Sequence, residues 1–141
     1  MGYAMIEKDR EAFEKNFSEA KGYHLRAEQF TRDGQRPSLI FNIASVALER
    51  YLVALCAHYG AMPMNHNFTC LIDAAESVVT FSPELKKEII SLDKIFGICS
   101  IDDYYHGTPG PEDSAGAISM CDNILEMFKD LDIEPTKIDL F

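Results

Sequence analysis

From Leu39 to Cys56 the chain is apolar at nearly every position, broken only by Asn42, Ser45, Glu49 and Arg50, with Tyr51 amphipathic. A helix that is hydrophobic almost all round has to be enclosed by other elements. Pro37 suits the first turn of such a helix, and Gly60 suits the left-handed residue beyond its last turn. Residues 38–60 are therefore expected to form the central helix of a bundle. Asn42, Ser45 and Glu49 fall at i, i+3 and i+7 and share one face, which Cys56 continues seven residues on. A polar stripe on an enclosed helix needs partners, because an unsatisfied buried group costs roughly 1–3 kcal/mol.

The flanking segments repeat a helical period. Phe13, Phe17, Ala20, His24 and Ala27 follow steps of four and three within a long first helix over residues 4–32. Gly22 lies inside it and weakens it by about 1 kcal/mol relative to Ala. The stretch Asp33-Gly34-Gln35-Arg36-Pro37 is short enough to make the first two helices antiparallel neighbours. Asn67 is placed to cap a short third helix, FTCLIDAAESVV, ending near Thr80. Ser82 and Pro83 open a fourth, with the seam Leu85, Ile89, Leu92, Phe96, Cys99. The same steps carry that seam on to Asp103 and His106, so it turns polar at its end. A loop, HGTPGPEDSAG, leads to a last helix from about Asp113 to Leu131, with the seam Ala117, Cys121, Ile124, Phe128 and Leu131. The expected fold is all-α: an up-and-down bundle of four long helices plus one short helix. It forms one domain over 1–131, with 132–141 as a tail on the surface or on a partner.

Charge narrows the partners. The 141 residues carry a net charge of −10. Residues 1–36 hold seven basic and seven acidic side chains, leaving six basic and sixteen acidic beyond them. Such a field repels phosphate backbones, which argues against a nucleic-acid partner. Asn42, Glu49 and Arg50 interrupt the most apolar run, so no membrane span is expected. Cys56, Cys70, Cys99 and Cys121 form no CxxC pair and sit in apolar contexts, which suits a reduced, cytoplasmic setting. The loop holding Met62 and Met64 between His58 and His66 is expected to pack its methionines inward rather than to bind a soft metal.

The order of these features resembles the HEPN (higher eukaryotes and prokaryotes nucleotide-binding) domain family. The resemblance is carried by the long first helix, then ALERYLVALCAHYG, NHNFTCLIDAAE, LKKEIISLDKIFGICSIDDYYHG and the closing amphipathic helix, together roughly residues 4–131. It implies a bundle of four or five helices, commonly dimeric. Members include metal-independent ribonucleases of toxin–antitoxin systems, partners of nucleotidyltransferases, and accessory binding domains. The family's ribonucleases place an Arg, then four to six residues, then a His near the end of the matching fourth helix. His106 stands at the matching place, but Cys99, Ser100 and Ile101 occupy the positions open to the Arg. Asp102 and Asp103 put negative charge where a phosphate would lie, and Glu49 matches a polar position of the second helix.

The reading that follows is a HEPN-like, homodimeric, non-catalytic binding module for a partner protein of nucleotidyltransferase or antitoxin type, or for a small ligand. No cofactor is implied. Candidate ligand-binding residues are Asn42, Ser45, Glu49, Asp103, Tyr104, Tyr105 and His106, the two tyrosines forming a lip before the Gly/Pro loop. Two alternatives stand beside it. One is a divergent ribonuclease whose catalytic candidates are His106, Asp102, Asp103 and Glu49. The other is a metal-dependent bundle enzyme in which His24, Glu49, Asp103 and His106 converge. A hydrogen-bonded polar end to the bundle accounts for the same residues more simply.

Overall fold

The central helix is present, and the bundle is built around it. A computed structural model of the chain describes residues 3–96 and 109–133. It contains α1 (Tyr3–Arg32), α2 (Pro37–Tyr59), α3 (Phe68–Glu76), α4 (Pro83–Phe96) and α5 (Pro111–Asp130), with no strand among the described residues. Helix α2 packs most extensively on α1, next on α5, and then on α3; α4 closes the bundle against α3 and α5. By length and composition α2 could cross a membrane, yet most of its apolar stretch is buried among the other helices. Enclosure in the bundle thus accounts for a composition that is apolar nearly all round.

Three helices end in the same way. At the end of α2, Gly60 adopts φ 70°. Its N–H donates to the Ala57 carbonyl, and the Ala61 N–H donates to that of Cys56. This paired closure satisfies carbonyls that the helix cannot. Gly34, at φ 75°, repeats it after α1 with Thr31 and Phe30. After α5 the left-handed residue is Asp132, at φ 60°, followed by Ile133, whose N–H donates to the Phe128 carbonyl. An L-residue there is strained relative to glycine, but the turn delivers Ile133 into the core.

The apolar seams of α1 and α4 are buried wherever they are described: Phe13, Phe17, Ala20, His24, Ala27, and then Leu85, Ile89 and Leu92. Three expectations need correction. Helix α3 stops at Glu76 rather than near Thr80, because the Ser77 hydroxyl donates to the Ala74 carbonyl and two β-branched valines follow. Leu131 is exposed, since the helix has already ended there and Ile133 fills the core position instead. The methionines of the α2–α3 loop point outward, Met64 being 93% exposed. That loop is held by polar contacts, not by methionine packing: His66 pairs with Glu49, and the Asn65 side chain accepts from the Asn67 N–H.

The expected caps are present. Asn67 accepts from the Cys70 N–H at 2.7 Å, and the Ser82 hydroxyl accepts from the Leu85 N–H at 3.2 Å. Helix α5 begins at Pro111, two residues before Asp113, whose carboxylate accepts from the Gly110 N–H at 2.9 Å. Proline at the first helical position has no N–H to leave unsatisfied, which explains the earlier start.

Candidate functional site

The polar stripe of α2 opens into a cleft. Asn42, Ser45 and Glu49 line it together with Val46, and His66, Asn67, Phe68 and Asp93 form the facing wall, around about 370 Å³. Hydrogen bonds tie the facing wall together. Asp93 of α4 accepts from the Phe68 and Thr69 N–H groups, both at 2.9 Å, and from the Thr69 hydroxyl at 2.6 Å. With Asn67 taking the Cys70 N–H, the first three amides of α3 are all satisfied. A carboxylate at a helix N-terminus is also favoured by the helix dipole. At the mouth of the cleft, the His66 Nδ1 lies 3.1 Å from a Glu49 carboxylate oxygen.

Ser45 stands apart from this satisfied network. It is 3% exposed, and its hydroxyl has no hydrogen-bond partner among the described residues. Some other helical hydroxyls turn back onto the carbonyl three or four residues earlier, as in Thr31 to Ala27 and Ser114 to Pro111. Further along the same face, the Cys56 thiol reaches towards the Leu71 carbonyl at 3.9 Å. Burial pushes the Cys56 thiol up to about 11, so at neutral pH it is a hydrophobe and not a nucleophile.

A second polar cluster lies on the other side of α2. His24, 5% exposed, comes from the α1 seam. Its Nδ1 lies 2.8 Å from the Tyr51 hydroxyl, and its Nε2 lies 2.8 Å from an Asp122 carboxylate oxygen. Glu28, one turn along α1, is 3.6 Å from the same nitrogen. The Tyr51 ring is fully buried and packs edge-on against Phe17. Burial first, and then the charges of Cys121, Asp122 and Glu28, push its phenol far above the usual range. Tyr51 is therefore a neutral hydrogen-bonding group. Cys121 is raised for the same leading reason, and its thiol donates to the Ala44 carbonyl at 3.3 Å.

The structure thus gathers Asn42, Ser45 and Glu49 in one cleft. It does not bring His24 and Glu49 together. Two residues on a helix are rotated by roughly 200°, so Tyr51, which holds His24, and Glu49 project to opposite sides of α2. Asp102, Asp103, Tyr104, Tyr105 and His106 lie outside the described residues. Sequence reasoning missed Tyr51, Glu28 and Asp122 around His24, and Asp93 behind the cleft. Only the His24–Glu28 spacing of four carried a local signal. No protein-family model matches the chain, and no curated protein or solved structure matches it either. Function therefore has to be read from these two sites.

Proposed function

We propose that this chain is a HEPN-like, non-catalytic binding module that takes a small ligand in the cleft between α2, α3 and α4. One observation carries the reading: a buried serine hydroxyl, without a partner among the described residues, sits beside a polar stripe that opens into a cleft. A ligand that hydrogen-bonds Ser45 would remove a penalty of roughly 1–3 kcal/mol. Val46 and Phe68 offer apolar walls, while Asn42 and Glu49 offer acceptors. The chemistry fits a compact neutral or cationic molecule with a flat apolar part and N–H or O–H donors. An anionic ligand would face Glu49, Asp93 and a net charge of −10.

The test is a titration of the isotope-labelled chain with tyramine, benzamidine and adenine, followed by amide NMR. Saturable shifts at Asn42, Val46, Glu49, His66 and Phe68 are expected, and they should vanish in Val46→Trp, which fills the cleft. The reading is overturned by shifts that survive that substitution, or by a cleft that none of the three probes perturbs. The same proposal includes a homodimer, for which exposed Tyr59, Met62 and Met64 provide apolar surface around the α2–α3 loop. Light scattering that detects only a 15.9 kDa species would remove the dimer from it.

A further inference from the structure

We infer that His24, Glu28 and Asp122 form a binding site for one divalent transition-metal ion, independent of the cleft that holds Ser45. The three residues offer one imidazole nitrogen and two carboxylate oxygens, all within 4.8 Å of one another. In a tetrahedral zinc site with bonds near 2.0–2.2 Å, ligand atoms stand about 3.3 Å apart. The Nε2–Glu28 separation of 3.6 Å is close to that value, and the Nε2–Asp122 separation of 2.8 Å needs to open by a few tenths of an ångström.

The surroundings are those of a ligand set and not only of a satisfied core histidine. The imidazole is buried, whereas the Asp122 and Glu28 side chains are 57% and 37% exposed. Both carboxylates line a groove of about 650 Å³ between α1, α2 and α5, so an ion can arrive without unfolding anything. The far ring nitrogen is held by the Tyr51 hydroxyl at 2.8 Å. Metal-bound histidines commonly have such an outer partner, which fixes the ring and its tautomer. Nε2 and Asp122 require something between them, either a hydrogen or a cation, because a bare nitrogen lone pair and a carboxylate repel. An ion there leaves the ring N–H on Nδ1, where it donates to the Tyr51 oxygen.

The donor set selects the ion. Magnesium and calcium prefer all-oxygen sites, and soft copper(I) prefers sulfur, whereas one nitrogen with two carboxylates suits zinc, cobalt or manganese. Three protein ligands would also leave a fourth coordination position open, as in sites that bind a further small molecule through the metal.

Calorimetric titration of the full chain with zinc chloride tests the site, with cobalt(II) absorption as a second readout. One ion per chain is expected. Asp122→Asn and Glu28→Gln should each weaken binding by about tenfold or more. Both positions are at the surface, so the amide variants keep the helical spectrum of the parent. His66→Ala and Glu49→Gln, in the other cleft, should leave zinc affinity unchanged. The inference is overturned if no saturable uptake of one equivalent occurs, if binding survives Asp122→Asn and Glu28→Gln, or if it is lost in His66→Ala. Absence of zinc uptake leaves the reading of the Ser45 cleft untouched, whereas loss of binding in His66→Ala would place the ion in that cleft instead.

Discussion

Helix α2 carries polar groups into the core on two sides, and the two sides handle them differently. Towards α1 and α5, the Tyr51 hydroxyl meets His24, and His24 meets Asp122, so both ring nitrogens of the buried histidine have partners. Towards α3 and α4, Asp93 and Asn67 satisfy the helix terminus, but Ser45 finds nothing among the described residues. A closed chain of hydrogen bonds stabilises a core and fixes how its helices dock. An unmet donor destabilises it, and it keeps a binding preference in reserve. The difference separates polar groups already paired within the chain from a hydroxyl left unmet.

Breaking the closed side should have the largest effect. Tyr51→Phe keeps the ring packing but strands the buried Nδ1 of His24, and urea unfolding should show a loss of about 1–3 kcal/mol. A change within experimental error would mean that His24 is not held by Tyr51, and the contrast would collapse. Next comes the scaffold behind the open side. Asp93→Ala removes the partner of two α3 amides and the Thr69 hydroxyl. Loss of such a cap should cost about 1–2 kcal/mol in the same assay.

The open side should respond with the opposite sign. Ser45→Ala removes a hydroxyl without a described partner and installs the best helix former, so stability should rise by up to about 1 kcal/mol. Destabilisation would show that the hydroxyl is already satisfied, which removes the main support for the proposed ligand cleft. The smallest effect belongs to His58, at the end of α2, which packs against Phe13 and Tyr59. Burial, and then the charge of Arg10, lower its pKa. The neutral ring is thus favoured in the folded state. Its contribution to stability is complete above the unfolded value of about 6.5 and is lost as pH falls through that value towards the lower folded one. An NMR titration should place His58 below 6.5, and His58→Gln should flatten that part of the stability profile. A His58 value at or above 6.5 would contradict it.

Most of the fold was legible because its signals are local. The steps of four and three through Phe13, Phe17, Ala20, His24 and Ala27 mark one buried face whatever that face packs against. Asn67, Ser82, Gly34 and Gly60 act on backbone groups within a few residues of themselves, and all four cap as their chemistry requires. The misjudged boundaries have local causes of another kind. Ser77 turned its hydroxyl onto its own helix, and Asp132 took a conformation usually left to glycine.

The candidate site was legible only in part. The stripe of Asn42, Ser45 and Glu49 could be read as sharing one face, and one cleft now contains all three. That His24 would meet Tyr51 and Asp122, 27 and 98 residues away, could not be read from the chain. Nor could the closing of α3 by Asp93, 24 and 25 residues on. The sequence by itself determined the helices, their caps and their buried faces, because hydrogen bonds between close neighbours and a period of 3.6 residues decide them. Only the tertiary structure decided which polar groups meet, because that depends on how far each helix is rotated and slid against the next. Many combinations of rotation and offset bury the same seams, and each would bring a different carboxylate to His24.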